Sequence, residues 1–297
     1  MQKLIFNVMK TKVLVTGSKG QLGSEIKKAA ADIDNINFLF SDIEELDITN
    51  QDAINAYITK TRPSYLINCA GYTAVDRAED EPETAMMINA TSVKNITMAL
   101  EDTDCKLFHI STDYVLGGLG NRPMNEEETP HPVSVYSKSK YHGELNALGY
   151  PHSMIIRTSW LYSSFGKNFV KTIIRLAAER KELNVVDDQQ GSPTYAGDLA
   201  EAILTIIVKI ESGTADFIPG IYHYSNEGSC SWYSFAKAIK KEKQLDVIIN
   251  PVSTEEFQTK AYRPAYSVLR KEKIKKIYGL EIPKWKKSLK KCLRIID

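Results

Sequence analysis

The sequence predicts an α/β fold: a doubly wound parallel sheet with helices on both faces, followed by a smaller C-terminal α/β lobe. Strand-like and helix-like segments alternate for most of the 297 residues, which is typical of a parallel sheet. A glycine-rich turn joins the first strand directly to the first helix. After Thr158 the alternation becomes less regular, and the tail from Gly228 onward contains only short elements.

The elements of the sheet are predicted in chain order from short apolar runs and helical periodicity. Residues 12–16 and 65–68 are apolar runs of buried-strand length, and Pro82 stands in the first turn of a long helix, where its missing N–H is tolerated. The predicted order is strand 12–16, helix 21–31, strand 37–40, helix 51–60, strand 65–68, helix 82–100, strand 106–111, helix 134–148 and strand 154–157.

Beyond residue 158 the prediction is an amphipathic helix over 168–180, a strand over 183–186 and a helix over 197–210. No long linker separates the two lobes, so the second is expected to consist of segments that leave the main sheet and return to it. The predicted nucleotide-binding domain comprises residues 11–158 and about 192–224. The predicted substrate lobe comprises about 159–191 and 225–297, and residues 1–10 are interpreted as an N-terminal extension.

Composition excludes several classes of partner. With a net charge of +1 and 25% charged residues, there is no electrostatic argument for nucleic acid or an anionic membrane. No apolar run approaches the ~20 residues that span a bilayer, and the first nine residues lack the features of a secretory signal. The four cysteines show no metal-ligand spacing and suit a reducing cytosol, so we expect a cytoplasmic protein without a predicted metal site.

A glycine loop, Gly17-Ser-Lys-Gly20-Gln-Leu-Gly23, lies between the first strand and the first helix. Glycines allow a tight turn and a close approach of the backbone to a pyrophosphate, and the helix N-terminus offers free N–H groups to that anion. The spacing is G-x-x-G-x-x-G, and no Gly-Lys-Ser/Thr follows, which disfavours a phosphate-loop NTPase. The loop therefore predicts a dinucleotide site.

Two residues point to different dinucleotides. Asp42 ends the second strand, where an acid would bind the hydroxyls of the adenosine ribose, although a turn aspartate is an equal alternative. Lys19, inside the glycine loop, is suited instead to a 2′-phosphate. NADH and NADPH both remain open, and Asp47 and Ile48 in the next loop are expected beside the adenine.

Polar and small residues end the later strands on the same side of the predicted sheet. Residues 68–73 (NCAGYT) close the third strand, and small residues there let a flat cofactor lie over the sheet edge. Thr112 ends the strand over 106–111. Tyr136 and Lys140 are four residues apart on the following helix, so they share one face. A Y-x-x-x-K pattern alone is common, and its significance rests on the order in which these motifs occur.

That order resembles the short-chain dehydrogenase/reductase superfamily, in its extended, nucleotide-sugar-modifying branch, and implies a Rossmann-like fold. Further stretches resemble the dTDP-4-dehydrorhamnose reductase family from about residue 12 to the C-terminus: 68–79 (NCAGYTAVDRAE), 88–93 (INATSV), 111–115 (STDYV), 157–160 (RTSW) and 187–194 (DDQQGSPT). Two positions depart from that family: Leu116 where Phe is usual, and Tyr266 where Asn is usual, which leaves the role of Tyr266 open.

The resemblance implies reduction, by NADPH or NADH, of the C4 ketone of dTDP-4-dehydro-6-deoxy-L-mannose to dTDP-L-rhamnose. Tyr136 would donate the proton, Lys140 would lower the Tyr136 pKa and bind the nicotinamide ribose, and Thr112 would hold the ketone oxygen. The expected substrate contacts are Thr73, Val75, Asp113, Trp160 and Arg263. The expected cofactor contacts are Gly17, Lys19, Gly20, Gln21, Leu22, Gly23, Asp42, Asp47, Ile48, Cys69, Ala70, Gly71, Tyr72, Tyr136 and Lys140.

Two alternatives remain. One is an epimerase or dehydratase of the same superfamily with tightly held NAD⁺; dehydratases usually follow the acid at position 113 with Glu, whereas Tyr114 stands here. The other is a non-catalytic, reductase-like regulatory subunit. A monomer and a homodimer are both compatible with the sequence. Some family members are described as metal-bridged dimers, for which Glu25 is a candidate ligand, but magnesium is not otherwise supported.

Overall fold

The computed structural model describes residues 11–118 and 120–296, so the predicted N-terminal extension lies outside the described residues. Six strands form one all-parallel sheet in the order β2-β1-β3-β4-β5-β10. Its strands are β1 Thr11–Thr16, β2 Ile36–Ser41, β3 Tyr65–Asn68, β4 Lys106–Thr112, β5 Ser153–Thr158 and β10 Gly220–His223. The predicted α/β class with a central parallel sheet is confirmed.

Helices cover both faces of this sheet. Nearly every residue of its inner strands is therefore buried, whichever face the side chain points to. One face packs against α1 and α8, and the other against α2, α5 and α6. The helices of this part of the chain are α1 Gln21–Ala30, α2 Gln51–Thr61, α3 Val75–Ala78, α4 Pro82–Met86, α5 Ser92–Leu100, α6 Val135–Leu148 and α8 Ala196–Glu211, of which α3 and α4 do not belong to the layers on the sheet. Among the described residues, no helix is both long and apolar enough to span a bilayer.

The predicted helix over 82–100 is interrupted. A π-helical turn, Met87–Thr91, joins α4 to α5 and inserts a wider turn into the helix. Gly143 of α6 packs against this turn so closely that a Cβ there would lie 2.1 Å from the carbonyl oxygen of Asn89. Residues 87–91 contain no glycine or proline that would predict a break, and the contact with α6 is made by residues more than 50 positions away in sequence.

The second lobe has its own core, centred on Tyr162, Phe235 and Trp285. It contains three two-stranded sheets, pairing β7 with β12, β8 with β11 and β6 with β9. Its elements are β6 Leu161–Tyr162, α7 Phe169–Glu179, β7 Glu182–Val186, β8 Gln190–Gly191, β9 Thr194–Tyr195, β11 Cys230–Ser231, α9 Trp232–Lys243, β12 Ile248–Val252, α10 Thr254–Phe257, α11 Glu272–Tyr278 and α12 Trp285–Leu293.

Between these segments the chain returns to the main sheet. Helix α8 packs on the sheet beside α1, and β10 extends the sheet next to β5. Helix α11, which lies in sequence between α10 and α12 of the second lobe, packs instead against β10 of the main sheet. The domain boundaries near residues 158, 191 and 224 stay a prediction.

The order of the sheet positions a ligand crevice. The chain runs from β1 outward to β2 and then returns to place β3 on the other side of β1, so the connections leave the carboxyl ends of β1 and β3 in opposite directions. Ligands of open α/β sheets bind at such a switch point. The glycine loop and residues 68–73 both lie there.

Candidate active site

The glycine loop is shaped by backbone contacts that exclude side chains. Gly17 has a φ of +64°, and a Cβ there would lie 2.6 Å from the backbone nitrogen of Ala70. A Cβ at Gly23 would lie 2.4 Å from the Gly17 carbonyl oxygen. Helix α1 begins after Gly20 without a side-chain cap and without an acidic residue in its first turn. Its N-terminus is therefore suited to a pyrophosphate, as the sequence predicts.

At the end of β2, Asp42 is bound to the glycine loop. The backbone N–H of Lys19 donates a hydrogen bond of 2.8 Å to the Asp42 carboxylate. The Lys19 ammonium forms an ion pair with Glu44, and both side chains are largely exposed. The two residues predicted to distinguish NADH from NADPH are thus adjacent, and Glu44, which the sequence analysis did not identify, neutralises the Lys19 charge.

Asp47 and Ile48 have structural contacts in the next loop. The Asp47 carboxylate accepts hydrogen bonds from the backbone N–H and the hydroxyl of Thr49. The Ile48 side chain is buried in the core beneath α2 and α5. Their predicted place beside the adenine stays a prediction.

The loop after β3 is held by Asn89, another residue that the sequence reading did not single out. Asn89 lies on the π-helical turn and is buried. Its side chain accepts from the Tyr72 backbone N–H at 2.8 Å and donates to the Tyr72 carbonyl at 3.0 Å and to the Ser139 hydroxyl at 2.9 Å. Asn89 therefore joins the predicted cofactor loop (Cys69, Ala70, Gly71 and Tyr72) to the helix that carries Tyr136 and Lys140.

Lys140 lies beneath that loop. Its ammonium donates a 2.6 Å hydrogen bond to the carbonyl of Ile110, and its side chain is buried. Burial lowers the pKa of Lys140 to about 8, while the buried Glu144 carboxylate, paired with Arg157, acts in the opposite direction. The ammonium thus remains charged at neutral pH in a site suited to ribose hydroxyls.

Tyr136 is buried beside Thr112 and Tyr114. Its ring packs edge-on against that of Tyr114, with the ring centroids 5.7 Å apart, and Val75 packs against the same cluster. Burial raises the pKa of Tyr136 to about 12, and the hydrogen bond with Thr112 only partly opposes this. The sequence argument expected a nearby lysine to lower this pKa; in the structure the loss of solvation outweighs any such effect.

Thr112 and Asp113 end β4 above the crevice. The Thr112 hydroxyl donates a 3.0 Å hydrogen bond to Asp113 and accepts one from the Tyr114 backbone N–H at 3.3 Å. Asp113 is buried, and burial raises the pKa of its carboxyl to about 7. By contrast, Thr73, another predicted substrate contact, is exposed at the start of the loop leading to α3.

Trp160 adopts a left-handed backbone conformation, with φ of +46°, which is unfavourable for a bulky residue. One face of its ring stacks on Trp232 with 3.5 Å between centroids. Near the ring edge that carries the indole nitrogen, a Cβ at Gly191 would lie 2.4 Å from ring carbon Cε2. The face of Trp160 against Trp232 is occupied, so the predicted substrate contact would have to use another part of the indole.

Arg263 is paired with Asp76. Two nitrogens of the guanidinium donate to the two carboxylate oxygens at 2.9 Å and 2.6 Å, and this lowers the pKa of Asp76. The segment that carries Arg263, which we call the strap (residues 258–270), also pairs Lys260 with Asp80 and packs Pro264 against Gly118. The sequence analysis expected Arg263 to contact the substrate and did not anticipate this ion pair.

Glu25 is engaged within the chain. Its carboxylate accepts hydrogen bonds from Ser163 at 2.6 Å and from Tyr195 at 3.3 Å, which tie α1 to the second lobe. Across residues 11–118 and 120–296, no three His, Cys, Asp or Glu side chains are grouped so as to hold a metal ion.

Known proteins are similar to this chain over nearly its whole length. A family model described as the RmlD substrate binding domain matches residues 11–297. A protein named dTDP-4-dehydrorhamnose reductase, from Aggregatibacter actinomycetemcomitans, is 40% identical over 287 residues, which cover 94% of this chain and 97% of the relative. This chain belongs to the dTDP-4-dehydrorhamnose reductase family.

A second relative and a solved structure are similar to this chain over nearly its whole length. Spore coat polysaccharide biosynthesis protein SpsK of Bacillus subtilis (strain 168) is 39% identical over 289 residues, covering 96% of this chain and 97% of the relative. The crystal structure of dTDP-4-dehydrorhamnose reductase from Bacillus anthracis in complex with NADP has 40% identity and a TM-score of 0.90, covering 96% of this chain and 99% of that chain. The family predicted from the sequence motifs is confirmed.

Proposed function

We propose that this protein reduces the C4 ketone of dTDP-4-dehydro-6-deoxy-L-mannose to dTDP-L-rhamnose. The observation that carries the proposal is the cluster of Thr112, Tyr136 and Lys140, which lies at the carboxyl edge of the sheet beside a loop shaped for a dinucleotide. Membership of the family and the NADP bound by the Bacillus anthracis relative support it.

Thr112, Tyr136 and Lys140 have different roles in the proposed ketone reduction. NADPH or NADH, when bound, supplies the hydride that C4 receives. Tyr136 gives its phenolic proton to the ketone oxygen, which completes the alcohol. Lys140, held by the Ile110 carbonyl, donates to ribose hydroxyls and stabilises the phenolate that Tyr136 becomes. Thr112 holds the ketone oxygen in line with Tyr136.

The cofactor is proposed to be NADPH or NADH. Gly17, Gly20, Gln21, Leu22 and Gly23 present the loop and the first turn of α1 to the pyrophosphate. Asp42 favours NADH and Lys19 favours NADPH, and the ion pair between Lys19 and Glu44 weakens the second preference. The cytoplasmic location, and the choice between monomer and homodimer, stay predictions.

The nucleotide is proposed as the main handle for binding. A free 4-keto hexose offers few groups to a protein, and binding energy from a remote nucleotide can position the reacting carbon. We therefore expect turnover of the thymidine-diphosphate-linked ketone and little turnover of the same sugar without its nucleotide.

The test compares kcat/KM for the nucleotide-linked ketone with that for simple aliphatic ketones and aldehydes, followed by cofactor absorbance at 340 nm. Tyr136→Phe is expected to lose at least about 10²-fold in kcat while it retains cofactor binding, because only the proton donor is removed. Similar kcat/KM values for both groups of substrates would refute the sugar-nucleotide assignment. Near-normal turnover by Tyr136→Phe would refute the Tyr–Lys mechanism.

A further inference from the structure

The backbone of Trp160 is held in a strained conformation by its neighbours. Its φ of +46° lies in the left-handed region, which bulky residues rarely adopt. The Trp160 carbonyl accepts a hydrogen bond of 3.1 Å from the Thr194 backbone N–H. The preceding Ser159 hydroxyl donates to the Ser192 carbonyl at 2.7 Å. Strain of this kind persists only where the surroundings enforce it and is concentrated at functional sites, so the placement of this indole requires an explanation beyond packing.

The indole of Trp160 is fixed on two sides. One face stacks on the Trp232 ring, with the centroids 3.5 Å apart and the planes inclined by 8°. Along one edge, a Cβ at Gly191 would lie 2.4 Å from Cε2 and 2.6 Å from both Cζ2 and Nε1, so a side chain at position 191 would displace the ring. Trp160 is nevertheless only half-buried. Its ring therefore has little freedom to rotate, while part of its surface stays accessible.

Both of these contacts come from one part of the second lobe. Strand β8 contains Gly191, and its partner β11 ends at Ser231. Trp232 follows directly as the first residue of α9, and Ser231 caps that helix. Trp232 also packs on Phe169 of α7, with the ring centroids 4.6 Å apart, next to the core of the second lobe. The second lobe thus provides a rigid support for Trp160.

The sheet places Trp160 beside the proposed ketone site. Thr158, the last residue of β5, is the register partner of Thr112 at the end of β4. Trp160 follows two residues later, and two residues of chain span at most about 7 Å. In the proposed reaction Thr112 holds the oxygen at C4 of the sugar. The part of the substrate that reaches Trp160 is therefore the hexose, and not the thymidine at its other end.

We propose that Trp232 is a positioning residue for the substrate, because its stack holds the accessible part of the Trp160 ring against the hexose of the nucleotide sugar. The C–H groups of a pyranose pack against an aromatic ring, and a ring that is fixed before binding loses little freedom when the sugar arrives. This inference rests on the proposed function. It adds a residue that acts through Trp160 without touching the sugar itself.

The first arm of the test needs no substrate. Two indoles stacked at 3.5 Å couple their electronic transitions, and far-ultraviolet circular dichroism of the full chain records the coupling as a paired band. The band is expected in the wild type and should disappear in Trp160→Leu and in Trp232→Leu. It should persist in Trp285→Phe, which changes the third tryptophan of the chain. A paired band that survives in Trp232→Leu would overturn the proposed stack.

The second arm separates the sugar from the nucleotide. Calorimetry measures the Kd of dTDP-L-rhamnose, the proposed product, and the Kd of dTDP alone. Trp232→Leu keeps apolar bulk but removes the stack, so the Kd of dTDP-L-rhamnose should rise about fivefold to tenfold while that of dTDP stays within about twofold of wild type. Trp232→Phe, which retains an aromatic ring, should recover most of the loss. An equal rise for both ligands would overturn the assignment to the hexose.

The third arm asks whether Trp232 acts through Trp160. Trp160→Leu and Trp232→Leu should each raise KM for the nucleotide-linked ketone by about fivefold to tenfold, with a smaller effect on kcat. The double variant should be no worse than Trp160→Leu, because the ring that Trp232 supports is already absent. Losses that add in the double variant would overturn the positioning role.

Trp285 provides the control for this arm. It is buried in the core of the same lobe and packs edge-on against Phe235, with the ring centroids 5.7 Å apart. Trp285→Phe should lower the melting temperature but leave KM within about twofold of wild type. A rise in KM equal to that of Trp232→Leu would mean that both residues act only through the stability of the lobe.

The two proposals fail separately. Absence of turnover by the wild type would refute the proposed function, while dichroism and the two Kd values would still decide the role of Trp232. Failure of the wild type to bind dTDP-L-rhamnose would refute both. Wild-type turnover with an unchanged KM in Trp232→Leu would refute the positioning role and leave the reductase assignment intact.

Discussion

Glu44 pairs with the Lys19 ammonium, the cation that we propose for a 2′-phosphate. The pair is largely exposed, so it contributes little to stability, but it places a negative charge beside that proposed cation. Glu44→Gln is therefore expected to improve NADPH affinity relative to NADH by about threefold to tenfold, corresponding to roughly 0.7–1.4 kcal/mol. Fluorescence titration of each reduced cofactor measures the two Kd values.

A matched control for Glu44→Gln changes the net charge equally without touching the site. Glu101 is exposed at the end of α5, near the amino edge of the sheet, opposite the glycine loop. Glu101→Gln should leave the ratio of the two Kd values unchanged. If Glu44→Gln also leaves the ratio of the two Kd values unchanged, Lys19 does not contact the 2′ position of the adenosine ribose.

Among the elements, the π-helical turn between α4 and α5 connects the predicted cofactor loop to the helix that carries Tyr136 and Lys140 through Asn89. π-turns of this kind occur frequently at functional sites. Asn89→Ala leaves the N–H and carbonyl of Tyr72 without their partner, so the free energy of unfolding should fall by about 2–4 kcal/mol. Because the loop over residues 69–72 loses its support, cofactor Kd should rise as well.

Asn95→Ala is the control variant for Asn89→Ala. Asn95 lies farther along α5, is also buried, and donates to the Thr49 carbonyl at 3.0 Å, so it supports the loop of Asp47 and Ile48 and not residues 69–72. Asn95→Ala should lower stability as well but raise cofactor Kd less than Asn89→Ala does, because the loop over residues 69–72 keeps its support. Denaturant unfolding and cofactor titration of both variants separate the two effects. Equal changes in Kd would mean that Asn89 acts only through global stability.

For the whole molecule, the strap joins the second lobe to α3 through the ion pair of Arg263 with Asp76. If the pair positions the strap over the crevice, Asp76→Ala and Arg263→Ala should each raise KM for the nucleotide sugar by about threefold to tenfold, with a smaller effect on kcat. The double variant should be no worse than either single variant, because the same contact has already been lost.

A different result would identify a different role for Arg263. A rise in KM confined to Arg263→Ala, with Asp76→Ala near wild type, would mean that the guanidinium leaves Asp76 and binds the substrate directly, which is the role expected from the sequence. Steady-state kinetics of the three variants with the same substrate distinguish the two cases.

The sequence by itself determined the parts of this protein that depend on local chemistry. Gly17 and Gly23 could be recognised because a tight turn at a strand–helix junction excludes side chains, and the structure shows the backbone atoms that they would meet. The parallel sheet followed from the alternation of apolar strands and helices. The family followed from a set of short motifs in a particular order.

Contacts between distant residues were decided only by the tertiary structure. Arg263 and Asp76 are 187 positions apart in sequence, and Asn89 and Ser139 are 50 apart, so no local pattern could pair them. The same holds for the pKa of Tyr136, because a pKa depends on how much solvent the surrounding elements remove. Residue type indicates which chemistry a side chain can perform, whereas burial and partners, which arise only on folding, decide which of those options remain.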